Sequence, residues 1–332
     1  MKNKVTLKKI LLKMEYLVKN ILVLGAVGQI GSELVPYLRD LYGDHAVVAL
    51  DRSPDFPAAI LEGGPCETID AMDANALFEV VRKHKIDTII NLVAVLSAKG
   101  EANPQMAWKI NMDCLINSLE ISRQTKGAVF TPSSIGAFGP STPMDNTPQD
   151  TVMRPTTIYG ISKVAAELLG DYYYLKHGVD ARGLRYPGII SNVTLPGGGT
   201  TDYAVEIYYE AIKNQCFTCN LSAGTFLDMM YMPDALRALV ELMEADPKNL
   251  VHRNCFNVSA MSFDPEMIAA EIRKHIPEFR LEYKIDAVKQ SIANSWPNSM
   301  DHSAAQAEWG WEPEYDLKAM TADMLKILGK RL

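Results

Sequence analysis

The sequence predicts an α/β fold in which a doubly wound parallel sheet is followed by a smaller C-terminal cap. Residues 20–190 alternate short apolar runs with longer helical patterns, which is typical of consecutive strand–helix–strand units. These runs are apolar throughout, as is expected of strands that helices cover on both faces. After about residue 190 helical patterns dominate, which marks the start of the cap.

The same patterns predict the order of the elements. Strands are predicted at 21–24, 46–50, 88–93, 128–131 and 181–186, and helices near 29–42, 74–85, 104–125 and 158–177. In the second part, a loop at 196–201 precedes helices near 202–214, 233–245, 264–275 and 315–329, with short strands at 255–258 and 280–283.

Composition and charge argue against several classes of protein. The 332 residues carry a net charge of −7 and no basic face with interleaved aromatic residues, so we expect no nucleic-acid partner. No stretch of the sequence reaches the ~20 apolar residues that cross a bilayer, so we expect no membrane partner. The five cysteines are scattered, and the pair Cys216 and Cys219 lacks a second pair or nearby histidines. We therefore predict buried thiols and no metal site.

The first twenty residues contain six lysines and one acid, Glu15, and residues 8–14 form a basic amphipathic stretch. This composition fits an organelle-targeting segment, although it lacks the Arg and Ser bias of a typical transit peptide. The alternative is a basic leader, disordered or helical, without a targeting role. The sequence leaves both interpretations of residues 1–19 open.

A glycine-rich turn follows the first strand and opens the first helix. Gly25, Gly28 and Gly31 are spaced GxxGxxG. Glycines at such a turn let the backbone approach a pyrophosphate, whose negative charge then meets the N-terminus of the helix. This strand–turn–helix context predicts a Rossmann-type dinucleotide site.

Acidic residues beyond the second strand indicate which dinucleotide binds. Asp51 ends that strand twenty residues after Gly31, where an acid bonds the adenosine ribose hydroxyls and repels a 2′-phosphate. This favours NAD over NADP, although Arg52 could meet a phosphate. Asp70 is a candidate for the adenine amino group, or else an acid that caps a strand or helix end.

These observations divide the chain into three parts. We predict a basic leader at 1–19, an NAD-binding domain at 20–195 and a mainly substrate-binding cap at 196–332. Within the cap, residues 225–260 are expected to return to the core of the first domain.

Tyr159 and Lys163 are the candidates for acid–base chemistry. Four residues apart on a helix, they lie on one face, and a neighbouring ammonium favours the phenolate form of a tyrosine. Ser133 and Ser134 follow the strand before this helix, at the sheet edge where ligands of parallel sheets bind. A serine hydroxyl can hold a substrate oxygen there, Tyr159 can take its proton, and Lys163 can bond the nicotinamide ribose. The alternative for the Tyr–Lys pair is a solvated helix face.

The glycine turn, the acid at 51, the serines and the YxxxK spacing together resemble an extended short-chain dehydrogenase/reductase of the sugar-nucleotide epimerase type. Within that group the chain resembles the metal-independent L-threonine 3-dehydrogenases. The segments that carry this resemblance are 25–31, 96–101, 107–112, 132–135, 138–140, 146–149, 155–163, 185–188, 196–205, 229–235 and 295–297. Departures from the common form, among them Val27, 136–137, 191–193 and Asp228, remove no catalytic group.

The resemblance implies roles for individual residues. Tyr159 matches the catalytic base, and Ser134 lies 25 residues before it, the spacing of the catalytic serine or threonine, with Ser133 left open as its neighbour. The positions that match NAD contacts are Gly25, Gly28, Gln29, Ile30, Gly31, Asp51, Arg52, Asp70, Ala71, Leu92, Ala94, Asn111, Tyr159, Lys163 and Pro187. Those that match substrate contacts are Ser97, Ser134, Tyr159, Thr200, Thr201 and Trp296. Without the resemblance, Ser97 fits a loop cap, the two threonines a helix cap and Trp296 a core aromatic.

The implied reaction is oxidation of the β-hydroxyl of L-threonine by NAD to 2-amino-3-oxobutyrate, the first step of threonine catabolism toward glycine and acetyl-CoA. The glycine loop at 197–199 offers backbone N–H groups that would suit the carboxylate of threonine, and it would also permit a closing lid. One alternative is an NAD-dependent sugar-nucleotide epimerase or dehydratase. Another is a non-catalytic NAD sensor, which the intact Ser–Tyr–Lys set argues against.

The resemblance also implies an assembly and a location. In this family the helices near 104–125 and 158–177 form a four-helix dimer contact, so we expect a homodimer. The family is mitochondrial in eukaryotes, so the lysine-rich leader predicts mitochondria for a eukaryotic source and the cytoplasm otherwise.

Overall fold

The computed structural model of the chain describes residues 18–195 and 197–332, so the predicted leader lies outside the described residues apart from 18 and 19. The strands are β1 (Ile21–Leu24), β2 (Val47–Asp51), β3 (Cys66–Thr68), β4 (Thr88–Asn91), β5 (Ala128–Phe130), β6 (Ser133–Ser134), β7 (Asp180–Arg182), β8 (Leu184–Tyr186), β9 (Gly188–Ile190), β10 (Cys216–Cys219), β11 (Leu227–Tyr231), β12 (Phe256–Asn257), β13 (Met261–Phe263) and β14 (Arg280–Tyr283). The helices are α1 (Gln29–Tyr42), α2 (Ala58–Leu61), α3 (Ala74–Lys83), α4 (Ser97–Ala102), α5 (Pro104–Thr125), α6 (Ile158–His177), α7 (Tyr203–Asn214), α8 (Met232–Glu244), α9 (Pro265–Arg273), α10 (Ala287–Ala293), α11 (Ser303–Trp309) and α12 (Leu317–Leu328).

The central sheet is parallel throughout, with strand order β3-β2-β1-β4-β5-β7. Alternate residues of a strand face opposite sides. In β1, Ile21 and Val23 pack with helices α1 and α8, whereas Leu22 and Leu24 pack with helices α3 and α5. Both faces of the sheet are therefore covered, which confirms the predicted doubly wound α/β fold and explains why its strands are apolar throughout.

A second core lies in the C-terminal part of the chain. Helices α7, α9 and α12 pack there against β11, with Trp296 in the same cluster. Three elements from this part of the chain also pack on the core that β1 and α1 form: β11 contributes Met230, α8 contributes Leu239 and β12 contributes Phe256. In the described part of the chain, no helix is long and apolar enough to cross a membrane.

The apolar run predicted as one strand at 181–186 forms two strands in different sheets. β7 joins the central sheet, and β8 lies between β6 and β12. Gly183 separates them, and a Cβ atom there would lie 2.7 Å from Thr131 O and 2.4 Å from Cys255 Sγ. Two other segments approach the backbone closely where the chain changes sheets, which leaves no room for a side chain at this position.

A buried acid in β11 links this strand to the segment that follows Trp296. Asp228 accepts hydrogen bonds from Ser259 Oγ at 2.9 Å and from Met300 N at 2.7 Å. Burial raises the pKa of the Asp228 carboxyl to about 8. Because this pKa exceeds the unfolded value, the stability that the neutral acid contributes is lost as pH rises from about 4 to about 8.

An Asp228→Asn variant is therefore expected to gain stability over the wild type as pH rises. The difference in unfolding free energy should grow by a few kcal/mol between pH 5 and pH 8, since one pKa unit corresponds to about 1.4 kcal/mol. Thermal unfolding at pH 5, 6.5 and 8 measures it. Asp40→Asn, at an exposed acid of α1, serves as the control and should show no such growth. Parallel curves for Asp228→Asn and wild type would contradict the argument.

Candidate active site

The glycine turn between β1 and α1 is shaped by close backbone contacts. Gly25 has a φ of +80°, which favours glycine. A Cβ atom on Gly31 would lie 2.3 Å from Gly25 O and 2.8 Å from Ala26 Cα. Gly28 stands at the N-cap of α1, and no side chain caps this helix end. The first turn of α1 therefore presents its N–H groups to a cleft, as a pyrophosphate requires.

One end of this cleft is lined by acidic residues. Asp51 Oδ2 accepts a hydrogen bond from Val27 N at 3.0 Å, and Oδ1 accepts one from Ser53 N at 3.1 Å, so the carboxylate is fixed against the turn. Asp70 lines the cleft and also accepts from Met72 N, which fits an acid that follows a strand end. Its contact with the adenine amino group stays a prediction. The predicted residues that line this cleft are Gly25, Gly28, Asp51, Arg52, Asp70, Ala71, Leu92 and Ala94.

Sequence reasoning missed the apolar walls of the cleft. They are Leu50, Ile69, Met72, Val93, Val95, Ile110 and Cys114. Burial raises the pKa of the Cys114 thiol to about 12, so it is a neutral wall at neutral pH. Nothing in the sequence distinguishes these side chains from ordinary core residues.

A second cavity adjoins the first, because Leu92 and Ala94 line both. Its other predicted lining residues are Gln29, Ile30, Ser97, Ser133, Ser134, Tyr159, Lys163, Pro187, Thr200, Thr201 and Trp296. Trp296 is both a cavity wall and a member of the second core. Residues from seven separate segments of the chain thus meet in this cavity.

Helix α6 brings Tyr159 and Lys163 to this cavity. Thr157 caps the helix by accepting from Gly160 N at 3.1 Å, and Glu101 of α4 accepts from Ile158 N at 2.8 Å. The side chains of Tyr159 and Lys163 are both buried. Lys163 Nζ lies 5.4 Å from the centre of the tyrosine ring. The solvated-face alternative therefore does not describe this pair.

Hydrogen bonds distinguish the two serines. Ser133 Oγ donates to Glu167 Oε1 at 2.5 Å, so its proton points away from a substrate. Ser134 Oγ accepts from Gly136 N at 3.1 Å, and its own proton has no acceptor among the described residues. Of the two candidates, Ser134 is therefore the one with a hydroxyl available to the cavity.

The glycine loop differs from the expectation that its N–H groups bind the carboxylate of a substrate. Asp202 Oδ2 accepts from Gly198 N at 2.9 Å and from Gly199 N at 2.7 Å. The chain's own carboxylate thus fills the anion site, and burial raises the pKa of the Asp202 carboxyl. Thr200 Oγ1 is buried without a described partner and faces the same cavity.

Two predicted cofactor contacts line neither cavity. Gly31 instead packs closely against the backbone of Gly25 and Ala26 in the glycine turn. Asn111 accepts from Val95 N at 2.7 Å and donates to Ser162 Oγ at 3.1 Å, which holds the segment after β4 against α6. A direct contact of either residue with a cofactor stays a prediction.

Comparison with known proteins identifies the family. A model of the NAD dependent epimerase/dehydratase family matches residues 21–259. The chain belongs to this family. An uncharacterized epimerase/dehydratase of Staphylococcus saprophyticus is 52% identical over 311 residues, which cover 93% of this chain and 97% of that protein.

Among solved structures, an L-threonine dehydrogenase from Clostridium difficile is 53% identical, with a TM-score of 0.93 over 95% of this chain and 98% of that one. A monomeric L-threonine 3-dehydrogenase from a metagenome is 41% identical, with a TM-score of 0.89 over 94% of this chain and 99% of that one. These relatives support an NAD-dependent oxidoreductase.

NAD is the cofactor of this epimerase/dehydratase family member, and the residues present fit it. The uncapped N-terminus of α1 faces the glycine turn, and Asp51 lines the same cleft at the end of β2, where an acid in dinucleotide-binding folds would hold the adenosine ribose. Gln29 lines the second cavity, and its Nε2 is buried without a described partner, so a cofactor oxygen there would satisfy it. Among residues 18–195 and 197–332, no group of three or more His, Cys, Asp or Glu side chains could hold a metal ion.

Proposed function

We propose that the protein oxidises the β-hydroxyl of L-threonine with NAD to 2-amino-3-oxobutyrate, the first step of threonine breakdown toward glycine and acetyl-CoA. The observation that carries the proposal is the second cavity, in which the Ser134, Tyr159 and Lys163 side chains stand beside a fixed carboxylate, Asp202. The likeness to L-threonine dehydrogenases supports it.

The proposed chemistry divides between these side chains. Ser134 donates its proton to the substrate hydroxyl oxygen, and Tyr159 as phenolate accepts the hydroxyl proton. Lys163 supplies positive charge beside the phenolate. As the C=O bond forms, the hydrogen on the same carbon leaves as a hydride, which NAD accepts when bound.

The charges of the cavity suit a zwitterionic amino acid. Among the described residues that line it, Asp202 is the only acid and Lys163 the only cation. Asp202 Oδ1 accepts none of the hydrogen bonds found among these residues, so it is available to an ammonium group. The hydroxyls of Ser97 and Thr200 would then receive the carboxylate of the substrate.

The experiment that tests the function measures NADH formation with L-threonine, with 3-hydroxybutyrate, which lacks the ammonium group, and with UDP-glucose. We expect turnover with threonine and at least tenfold lower kcat/KM with 3-hydroxybutyrate, because a hydrogen bond to a charged group contributes about 1.5–3 kcal/mol. Absence of NADH with threonine, together with binding of UDP-glucose, would favour a sugar-nucleotide epimerase or dehydratase. NAD binding without turnover of any of the three would favour an NAD sensor.

We also propose a homodimer built on the outer faces of α5 and α6. Leu168 and Leu175 of α6 are 62% and 76% exposed. Trp108 and Ile116 of α5, the helix that precedes α6 in the chain, are also exposed. Such apolar side chains on two adjacent helices suit a contact with a second copy. The metagenomic relative described as monomeric shows that this assembly needs its own test.

A Leu168→Glu variant is expected to shift the protein from dimer to monomer, since a charge at the centre of an apolar contact opposes association. Light scattering after gel filtration measures the mass. Leu61→Glu on α2, at a leucine that is 55% exposed, is the matched control and should leave the mass unchanged. A wild type that elutes as a monomer would overturn the proposal.

Two further proposals concern organisation and location. The division into an NAD-binding domain at 20–195 and a cap at 196–332, with 225–260 returning to the first core, stays a proposal, as does a direct substrate contact by Thr201 or Trp296. The relative from Staphylococcus saprophyticus is bacterial, so it supports the cytoplasmic alternative. It gives no support to a mitochondrial leader.

A further inference from the structure

Glu167 lies one helical turn beyond Lys163 on α6 and lines neither cavity. Tyr159, Lys163 and Glu167 are spaced four residues apart, so they share one face of the helix. Their exposed fractions are 8%, 7% and 3%. A carboxylate buried this deeply beside the reacting groups requires partners, because an unpaired buried charge is strongly destabilising.

Two side chains from neighbouring strands occupy both carboxylate oxygens of Glu167. Ser133 Oγ donates to Oε1 at 2.5 Å. Arg185 donates from Nε to Oε1 at 3.0 Å and from Nη2 to Oε2 at 2.8 Å, which makes a bidentate pair. Glu167 therefore joins helix α6 to strands β6 and β8 at one buried point.

The geometry of strand β6 links the contacts of Glu167 to the orientation of Ser134 and Lys163. Ser133 lies beside Arg185 in the parallel pairing of β6 and β8. Neighbouring residues of a strand point to opposite faces, so holding Ser133 toward the carboxylate directs Ser134 to the cavity. The residue before the two serines, Pro132, supplies the carbonyl that accepts from Lys163 Nζ at 2.6 Å.

The same carboxylate balances charge. Lys163 and Arg185 are both buried cations, and Glu167 is the acid that pairs with one of them. Without it, an unbalanced guanidinium would share this buried region with the lysine. The other titratable groups that act on the Glu167–Arg185 pair are Asp150, Asp171 and Cys255.

We propose that Glu167 is a positioning residue for the oxidation: through Ser133 it orients Ser134 and the carbonyl that holds Lys163, and it balances the charge of Arg185. The inference rests on the proposed function, because turnover of threonine is its readout. Wild-type turnover of threonine is therefore measured first. Its absence would refute the proposed function, and the inference with it, before any variant is compared.

The first variant, Ser133→Ala, removes one hydrogen bond and leaves the ion pair intact. A misplacement of reacting groups by about 1 Å can lower the rate a hundredfold, so kcat is expected to fall between about tenfold and a hundredfold. The KM for NAD should stay within about twofold of the wild type. Ser118→Ala is the matched control, since this buried serine of α5 donates to Cys114 O of its own helix.

Two further variants distinguish an effect of the Glu167 charge from an effect of its packing. Glu167→Gln makes the region more positive, which favours a phenolate, so the pH at which turnover is half-maximal should fall. In the double variant Glu167→Gln/Arg185→Met the charge is balanced again, and that pH should return toward the wild-type value. A role in packing alone would lower stability without moving the profile.

The outcomes decide between these roles. Reduced kcat in Ser133→Ala with a displaced profile in Glu167→Gln supports the proposal. Wild-type kcat in Ser133→Ala, or an undisplaced profile in a folded Glu167→Gln, overturns it. If Glu167→Gln does not fold, Arg185→Met replaces it and should move the profile to higher pH, and an unmoved profile there counts against the proposal equally.

Discussion

A Tyr159→Phe variant is expected to lose about a thousandfold or more of its turnover with L-threonine and to keep its affinity for NAD. The substitution removes one oxygen atom, which is the atom that accepts the substrate proton in the proposed reaction. General base catalysis contributes about 10² to 10⁴ in rate. The ring that packs against Gly136 remains, so the cavity keeps its shape. Absorbance of NADH measures turnover, and calorimetric titration measures NAD affinity.

Tyr172→Phe supplies the control for this experiment, because Tyr172 lies on the same helix and is 49% exposed. Its turnover should equal that of the wild type. Turnover by Tyr159→Phe close to the wild-type rate, with intact NAD binding, would remove the tyrosine from the mechanism and would leave Lys163 or Asp202 as the bases to test.

Gly31→Ala is expected to lower NAD affinity at least a hundredfold and to lower the melting temperature. The added Cβ would lie 2.3 Å from Gly25 O, and neither backbone segment can move away without displacing the turn that meets the pyrophosphate. A close approach of backbone to backbone cannot be relieved by a rotamer change. Titration with NAD and thermal unfolding measure the two effects.

The matched control is Gly197→Ala, where an added Cβ would meet nothing closer than Leu96 Cδ1 at 3.8 Å. That variant should bind NAD as the wild type does. An unchanged NAD affinity in Gly31→Ala would show that the turn tolerates displacement, and the role given to the third glycine would be wrong.

Most of the central sheet and its helices could be predicted from sequence because their signal is local. Helices α1, α5 and α6 have the bounds that periodicity predicts. The strands β3, β9 and β13 were missed because each holds at most two apolar side chains and so forms no continuous apolar run. Strand β11 was missed because its buried face includes an acid, Asp228, whose partners come from distant segments.

The candidate site divides in the same way. Motif spacing places Tyr159, Lys163 and the glycine turn, because each needs only neighbours along the chain. Two features depend on where side chains point in three dimensions: which carboxylate accepts from the N–H groups of the glycine loop, and which of Ser133 and Ser134 has a hydroxyl available to the cavity. Neither Asp202 nor Glu167 could be assigned its partner from sequence, since an acid gives no local sign of the donor it will meet.

The bond pattern of the glycine loop has a thermodynamic consequence. Asp202 already satisfies the N–H groups of Gly198 and Gly199. Ordering a glycine segment loses more conformational entropy than ordering other residues. Here that loss accompanies folding, so it is not subtracted again from the free energy of each binding event. In the structure the segment is a preorganised wall, which should give substrate binding a small entropic penalty, and its closure as a lid stays a prediction.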